Sequence, residues 1–143
     1  MASVFGIGEI IKNIKIKREV KKIDKDIKEF SKEFIPIRYN LLYPINLNKA
    51  INLVKGFLKD IDQYKKSLKL YDPHLHNFSE FIQLESSIKN FLTLLEKANK
   101  LMHTSHNPTE LNAVIQKIKI ESHNIQNFWN EHKNKLHRLG IIK

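Results

Sequence analysis

Cysteine is absent from the 143 residues, which removes disulfides, thiolate metal ligands and cysteine nucleophiles together. Glycine and proline are scarce, at four each, so many short strands joined by tight turns are disfavoured and few long elements are expected. No run reaches the ~18 consecutive apolar residues that would span a bilayer. The chain does not open on a basic stretch followed by a long apolar one, so no secretory signal is read there. The expected setting is cytoplasmic, with export by a route that needs no cleaved N-terminal signal left open.

Catalytic signatures are missing as well. There is no Gly-x-Ser-x-Gly, no glycine-rich phosphate loop and no His-Glu-x-x-His. No glutamate has a histidine three residues on, the pairing that di-iron helical bundles use. All seven histidines lie in the second half of the chain. His74/His76 and His103/His106 are the two close pairs, a weak metal signal on their own. They fall at turns expected at opposite ends of the molecule, so they should not combine. No enzymatic activity, cofactor or metal is expected, and His132 reads as a satisfied core or boundary histidine.

What is present is an apolar and a basic pattern. Hydrophobic residues at 41% and charged residues at 28% place the chain among globular proteins and not disordered ones. The formal charge is +10, and 22 of the 25 basic residues are lysine. A frequent Lys/Ile/Asn usage has two sources, a basic surface under selection or a low-GC coding genome, so charge alone does not fix a partner.

The stretch from Val4 to Phe34 organises the reading. Ile7, Ile10, Ile11 and Ile14 form one apolar stripe. Ile16, Val20, Ile23, Ile27, Phe30 and Phe34 form a second at alternating spacings of four and three, a coiled-coil-like seam. The two are out of register near Ile14–Ile16, which predicts a bend, a break or two different partners. Between Lys12 and Lys22 six basic residues stand against one acid. Pro36 predicts a kink or break at the end of this helix.

Three further helices follow. Leu47, Ala50, Ile51, Val54, Phe57, Leu58, Ile61, Tyr64 and Leu68 give an amphipathic helix stopped by Asp72-Pro73, with Gly56 tolerated inside it. Asn77 and Glu80 have capping-box spacing ahead of a seam of Phe78, Phe81, Ile88, Phe91, Leu95, Ala98 and Met102. Asn107-Pro108-Thr109-Glu110 starts the last helix, whose stripe runs from Leu111 to Leu139 and carries Ser122 and His132. Gly140 is placed as its C′ residue.

The prediction is an all-α, antiparallel up-down-up-down four-helix bundle of long helices, kinked or broken near Pro36. It forms one domain over 1–143, with helices at about 4–35, 47–71, 77–103 and 108–139. Residues 1–15 form a candidate projecting segment. The expected function is non-catalytic protein–protein interaction, as adaptor, inhibitor or assembly component. Docking on a partner or a second copy would use Phe5, Ile7, Ile10, Ile11 and Ile14 of the N-terminal helix. The alternative is binding of nucleic acid or an anionic membrane surface through Lys12, Lys15, Lys17, Arg18, Lys21, Lys22, Lys25 and Lys28.

Overall fold

Apolar residues at helical spacing can leave water only by facing one another across helices, and that is the arrangement found. The computed structural model of the chain describes residues 2–33, 47–104 and 108–142, with side chains described over 12–32 in the first segment. Among these residues there are four α-helices, one short 3-10 turn and no strand. The helices are α1 (Ala2–Glu33), α2 (Leu47–Tyr71), α3 (Ser79–Thr104) and α4 (Pro108–Arg138). Side-chain pairs run in opposite order on successive helices. Glu19 meets Ser67 and Phe30 meets Phe57, Lys65 meets Glu85 and Asn48 meets Asn99, and Glu80 meets Lys135 while Phe81 meets His132. The result is an antiparallel up-down-up-down four-helix bundle.

The seams supply the core. Ile16, Val20, Ile23 and Phe30 of α1 are buried with Ala50, Val54, Phe57, Ile61 and Leu68 of α2. Leu84, Ile88, Phe91 and Leu95 of α3 and Val114, Ile118, Ile125 and Leu136 of α4 complete the interior. Burying each such side chain is worth roughly 1.5–3 kcal/mol. Two aromatic layers cross it. Phe30 packs on Phe57 and Phe91 with centroids 5.5 and 5.7 Å away. Further along, Tyr64 lies 5.9 Å from Phe81 and 5.8 Å from Trp129, joining α2, α3 and α4.

The register change in the first helix does not break it, since α1 is continuous through Ile14–Ile16. The stripes instead take different faces: Ile16 is 1% exposed and Ile14 50%. The kink expected near Pro36 lies outside the described residues. The third helix begins at Ser79, two residues later than its spacing suggested, because Leu75–Asn77 forms a 3-10 turn that buries Leu75. The capping box of Asn77 and Glu80 is therefore not formed. The Phe78 carbonyl accepts from Phe81 and Ile82, and Glu80 turns inward. Met102 and Leu139, placed on seams by spacing, are exposed. Met102 lies past Ala98, the last fully covered residue of α3, and Leu139 lies past the last residue of α4.

Gly140 ends α4 as its spacing indicated. Its φ is 75°, its N–H donates to the His137 carbonyl, and the Ile141 N–H donates to the Leu136 carbonyl, both at 3.0 Å. This is a Schellman closure with Ile141 and Leu136 both buried. Gly56 has no neighbour within 4 Å of where a Cβ would sit, so no close helix approach requires it. Gly56→Ala should stabilise the bundle by about 1 kcal/mol. Gly140→Ala meets no steric neighbour either, yet should destabilise by about 1–2 kcal/mol through its left-handed φ. Urea unfolding of both variants checks the opposite signs.

Candidate functional site

Among the described side chains of α1, core contact begins at Ile16. Phe30 and Lys12 are five full turns apart and share one azimuth at ~100° per residue. Phe30 is buried while Lys12 is exposed. The Glu19–Ser67, Lys22–Asp60 and Phe30–Phe57 pairs bring Tyr71, the last residue of α2, level with about residue 15. α1 then continues for about 13 residues, ~20 Å of helix. Of the expected partner-binding residues, Ile14 is half-exposed. The side chains of Phe5, Ile7, Ile10 and Ile11 lie outside the described residues.

The eight expected polyanion-binding residues do not make one face. Lys17, Lys21, Lys25 and Lys28, joined by Lys32, fall within an ~80° sector of α1. Lys15, Arg18 and Lys22 point toward the α2 side, and Lys12 stands on the core azimuth beyond the bundle end. Lys22 reaches Asp60 at 3.0 Å, and that hydrogen bond raises its pKa. Both groups of residues are largely exposed, and exposed ion pairs here add little stability.

A trough lies beside the first row. The three consecutive helix pairs pack closely along their backbones, whereas α1 and α4 do not. They are joined by side chains: Trp129 Nε1–H donates to Asp24 Oδ1 at 2.7 Å, and Lys133 reaches the same oxygen at 2.9 Å. Gln126 Nε2 donates to Ser31 at 3.3 Å. The space left between the helices is a trough of about 700 Å3. Lys21, Lys25 and Lys28 line one side, Gln126, Asn130 and Lys133 the other, with Ile27 and Trp129 in its wall. Spacing along α1 pointed to the lysines, but the trough itself depends on a pairing 105 residues apart that no local pattern announces.

The most polar interior feature was not foreseen as a unit. Glu80, 2% exposed, binds Lys135 at 2.6 Å through Oε2. Its Oε1 faces His132 Nδ1 at 3.5 Å. His132 is 0% exposed and its Nε2 lies 2.6 Å from the Tyr64 hydroxyl. Lys135 also sits over the Phe78 ring, 4.8 Å from its centroid. Burial, then the charges of Glu19 and Glu80, raise the Tyr64 pKa well above its usual 10, so the hydroxyl stays a donor. Burial lowers His132 to about 4, against the pull of Glu80, so it is neutral near pH 7. Tyr64 therefore donates to Nε2, and Nδ1–H points at Glu80. Burial alone would raise the Glu80 pKa, but Lys135, its own backbone N–H and His132 bring it below the usual range. This Tyr–His–carboxylate order resembles a catalytic relay in chemistry. Every member but Lys135 is shut away from solvent, so its role is to fix α2, α3 and α4 in register. The signal in the sequence was His132 on an apolar stripe, while Glu80 was read as a cap.

A second coupled pair joins α1 to α2. Burial, a hydrogen bond with Asp60 and the charges of Asp60 and Glu29 raise Asp26 to about 8. Burial opposes ionisation of Asp60 too, but hydrogen bonds from Asp26 and Lys22 keep its pKa low. Asp26 thus holds a proton at neutral pH and shares it with an ionised Asp60. Among the described residues no group of three or more ligand-type side chains could hold a metal. No described helix is long and apolar enough to cross a membrane.

These shifts have opposite consequences. Between pH 7 and 4 the unfolded chain takes up a proton that folded His132 refuses, so His132 lowers stability by about 3 kcal/mol as pH falls across that range. Asp26 retains in the fold a proton that the unfolded chain releases above ~4, so its contribution is lost as pH rises toward 8. Asp26→Asn keeps a donor toward Asp60 without a charge to bury. Its stability relative to the parent should therefore be higher at pH 8 than at pH 5 by urea unfolding. An identical difference at both values would contradict the shared proton. Compared with protein-family models, curated proteins and solved structures, the chain shows no significant match to any.

Proposed function

We propose that the protein is a non-catalytic interaction module that docks through the N-terminal half of α1. The observation that carries this reading is the mismatch between helix and core. Among the described side chains of α1, which begin at Lys12, Ile16 is the first that the interior covers, while the helix runs back to Ala2. Beyond Ile16 the core azimuth carries the exposed Lys12, and Ile14 stands half in water. An isolated helical extension of this length gains little from propensity alone, since helices of fewer than ~12–15 residues are marginal in water. Apolar residues at Phe5, Ile7, Ile10, Ile11 and Ile14 supply the missing stabilisation once a partner or a second copy covers them.

The polar interior argues against a hidden catalytic centre. Its one acid–base chain is buried, and its histidine is neutral with Nε2 bonded to Tyr64 and Nδ1 facing Glu80 at 3.5 Å. A general base needs access to a substrate proton within hydrogen-bond reach, which Tyr64 and Phe81 deny.

Deleting residues 1–15 tests the reading. The truncated chain should keep its helical circular dichroism and its cooperative melt, and should lose self-association or the protein partners that co-purify from its native cell after nuclease treatment. Retention of fold, oligomeric state and partners together would refute it.

A further inference from the structure

We propose that the trough between α1 and α4 is the seat of an acidic α-helix from a partner protein. The inference rests on the interaction-module reading above and names the chemistry of the partner. Four observations support it.

The first is a straight row of charge. Lys17, Lys21, Lys25, Lys28 and Lys32 lie along α1 at intervals of four, four, three and four residues, spanning ~22 Å within an ~80° sector. An α-helix with Asp or Glu at the same intervals presents its carboxylates along a matching line.

The second is that the row is not neutralised from within. Asp24 is the sole carboxylate lining the trough. Its Oδ1 is taken by the Trp129 indole and the Lys133 ammonium. Lys25 touches Glu29 only at 3.9 Å, on the solvent side, and Lys21 and Lys28 have no ion pair among the described residues.

The third is the shape and lining of the trough. α1 and α4 are spaced by long side chains, so a groove runs between two parallel cylinders, the geometry that receives a third helix. Its far wall carries the amides of Gln126 and Asn130 and no acid, and Ile27 adds apolar surface.

The fourth concerns the competing occupants. A second copy of this chain brings +10 of like charge. A nucleic-acid strand held without sequence preference relies on stacking platforms, and every Phe, Tyr and Trp among the described residues is buried or half-buried. Trp129, although it lines the trough, is buried.

Trp129 is the one tryptophan in the sequence, so its fluorescence reports occupancy directly. The full-length protein is titrated with a helix-forming 21-residue peptide bearing glutamate at i, i+4, i+8, i+11 and i+15. Parallel titrations use a same-composition peptide with the glutamates dispersed, a 20-nucleotide oligo-dT and phosphatidylserine vesicles. The patterned peptide should change the emission and bind about tenfold or more tightly than the dispersed one. Raising salt from 50 to 200 mM should weaken it, as for any exposed charge array. Reversal of Lys21, Lys25 and Lys28 to glutamate should abolish binding while leaving the circular dichroism unchanged. Asn130→Glu, on the opposite wall, should weaken binding without touching the lysines. Equal binding of the two peptides would show attraction by charge alone and overturn the helix assignment. Tighter binding of oligo-dT or vesicles would overturn it in favour of those polyanions, and absence of any emission change would overturn it outright. This titration reads the trough, whereas deletion of residues 1–15 reads the projecting segment, so either reading can fail without the other.

Discussion

One hydrogen bond sets the geometry on which the outer surface depends. The Trp129 indole reaches across to Asp24 and ties α4 to α1. The other helix pairs pack with their backbones near one another. At the α1–α4 seam the indole packs inward against Tyr64 and His132 while its N–H satisfies a carboxylate on the rim. Lys133 completes that carboxylate and stacks near the same indole at 5.9 Å. The seam is thus tied across by this carboxylate, but a trough remains.

The same side chain connects the outer tie to the buried network. Trp129 lies next to His132, which bonds Tyr64 and faces Glu80, which bonds Lys135. A neutral histidine bonded to Tyr64 through Nε2 and facing Glu80 through Nδ1 is a directional element inside an otherwise non-directional core. Apolar seams at intervals of three and four tolerate sliding by a turn, whereas this chain of hydrogen bonds does not. Specification of register by buried polar groups is attested in coiled coils. Here it accounts for a polar cluster kept where packing would favour Leu or Phe.

Much of the fold was legible because it rests on local periodicity. The seams from Ile16 to Phe30, from Ala50 to Leu68 and from Phe81 to Ala98 announce buried helix faces, and Gly140 followed by Ile141 announces the closing turn. Where the reading failed, a tertiary choice overrode a local one. Asn77 and Glu80 have the spacing of a cap, but the 3-10 turn at Leu75 shifts the helix start and sends Glu80 to meet Lys135 and His132. The change of stripe at Ile14–Ile16 is compatible by spacing with a bend, a break or two different partners, and tertiary structure removes the break, since the helix passes through it. The lysines were visible, but their division into a row beside α4 and a row beside α2 depends on helix azimuth relative to partners. The trough was not legible at all, since it exists only because residues 24 and 129 meet.

The most direct measurement of this account is a double-mutant cycle on the Trp129–Asp24 tie. Stability to urea is compared for the parent, Asp24→Ala, Trp129→Phe and the double variant. A hydrogen bond to an ionised acceptor that closes the bundle predicts a coupling of about 1.5–3 kcal/mol. Additive single effects, with coupling under about 0.5 kcal/mol, would show that α1 and α4 are held together by something other than this bond and would remove the physical basis for the trough.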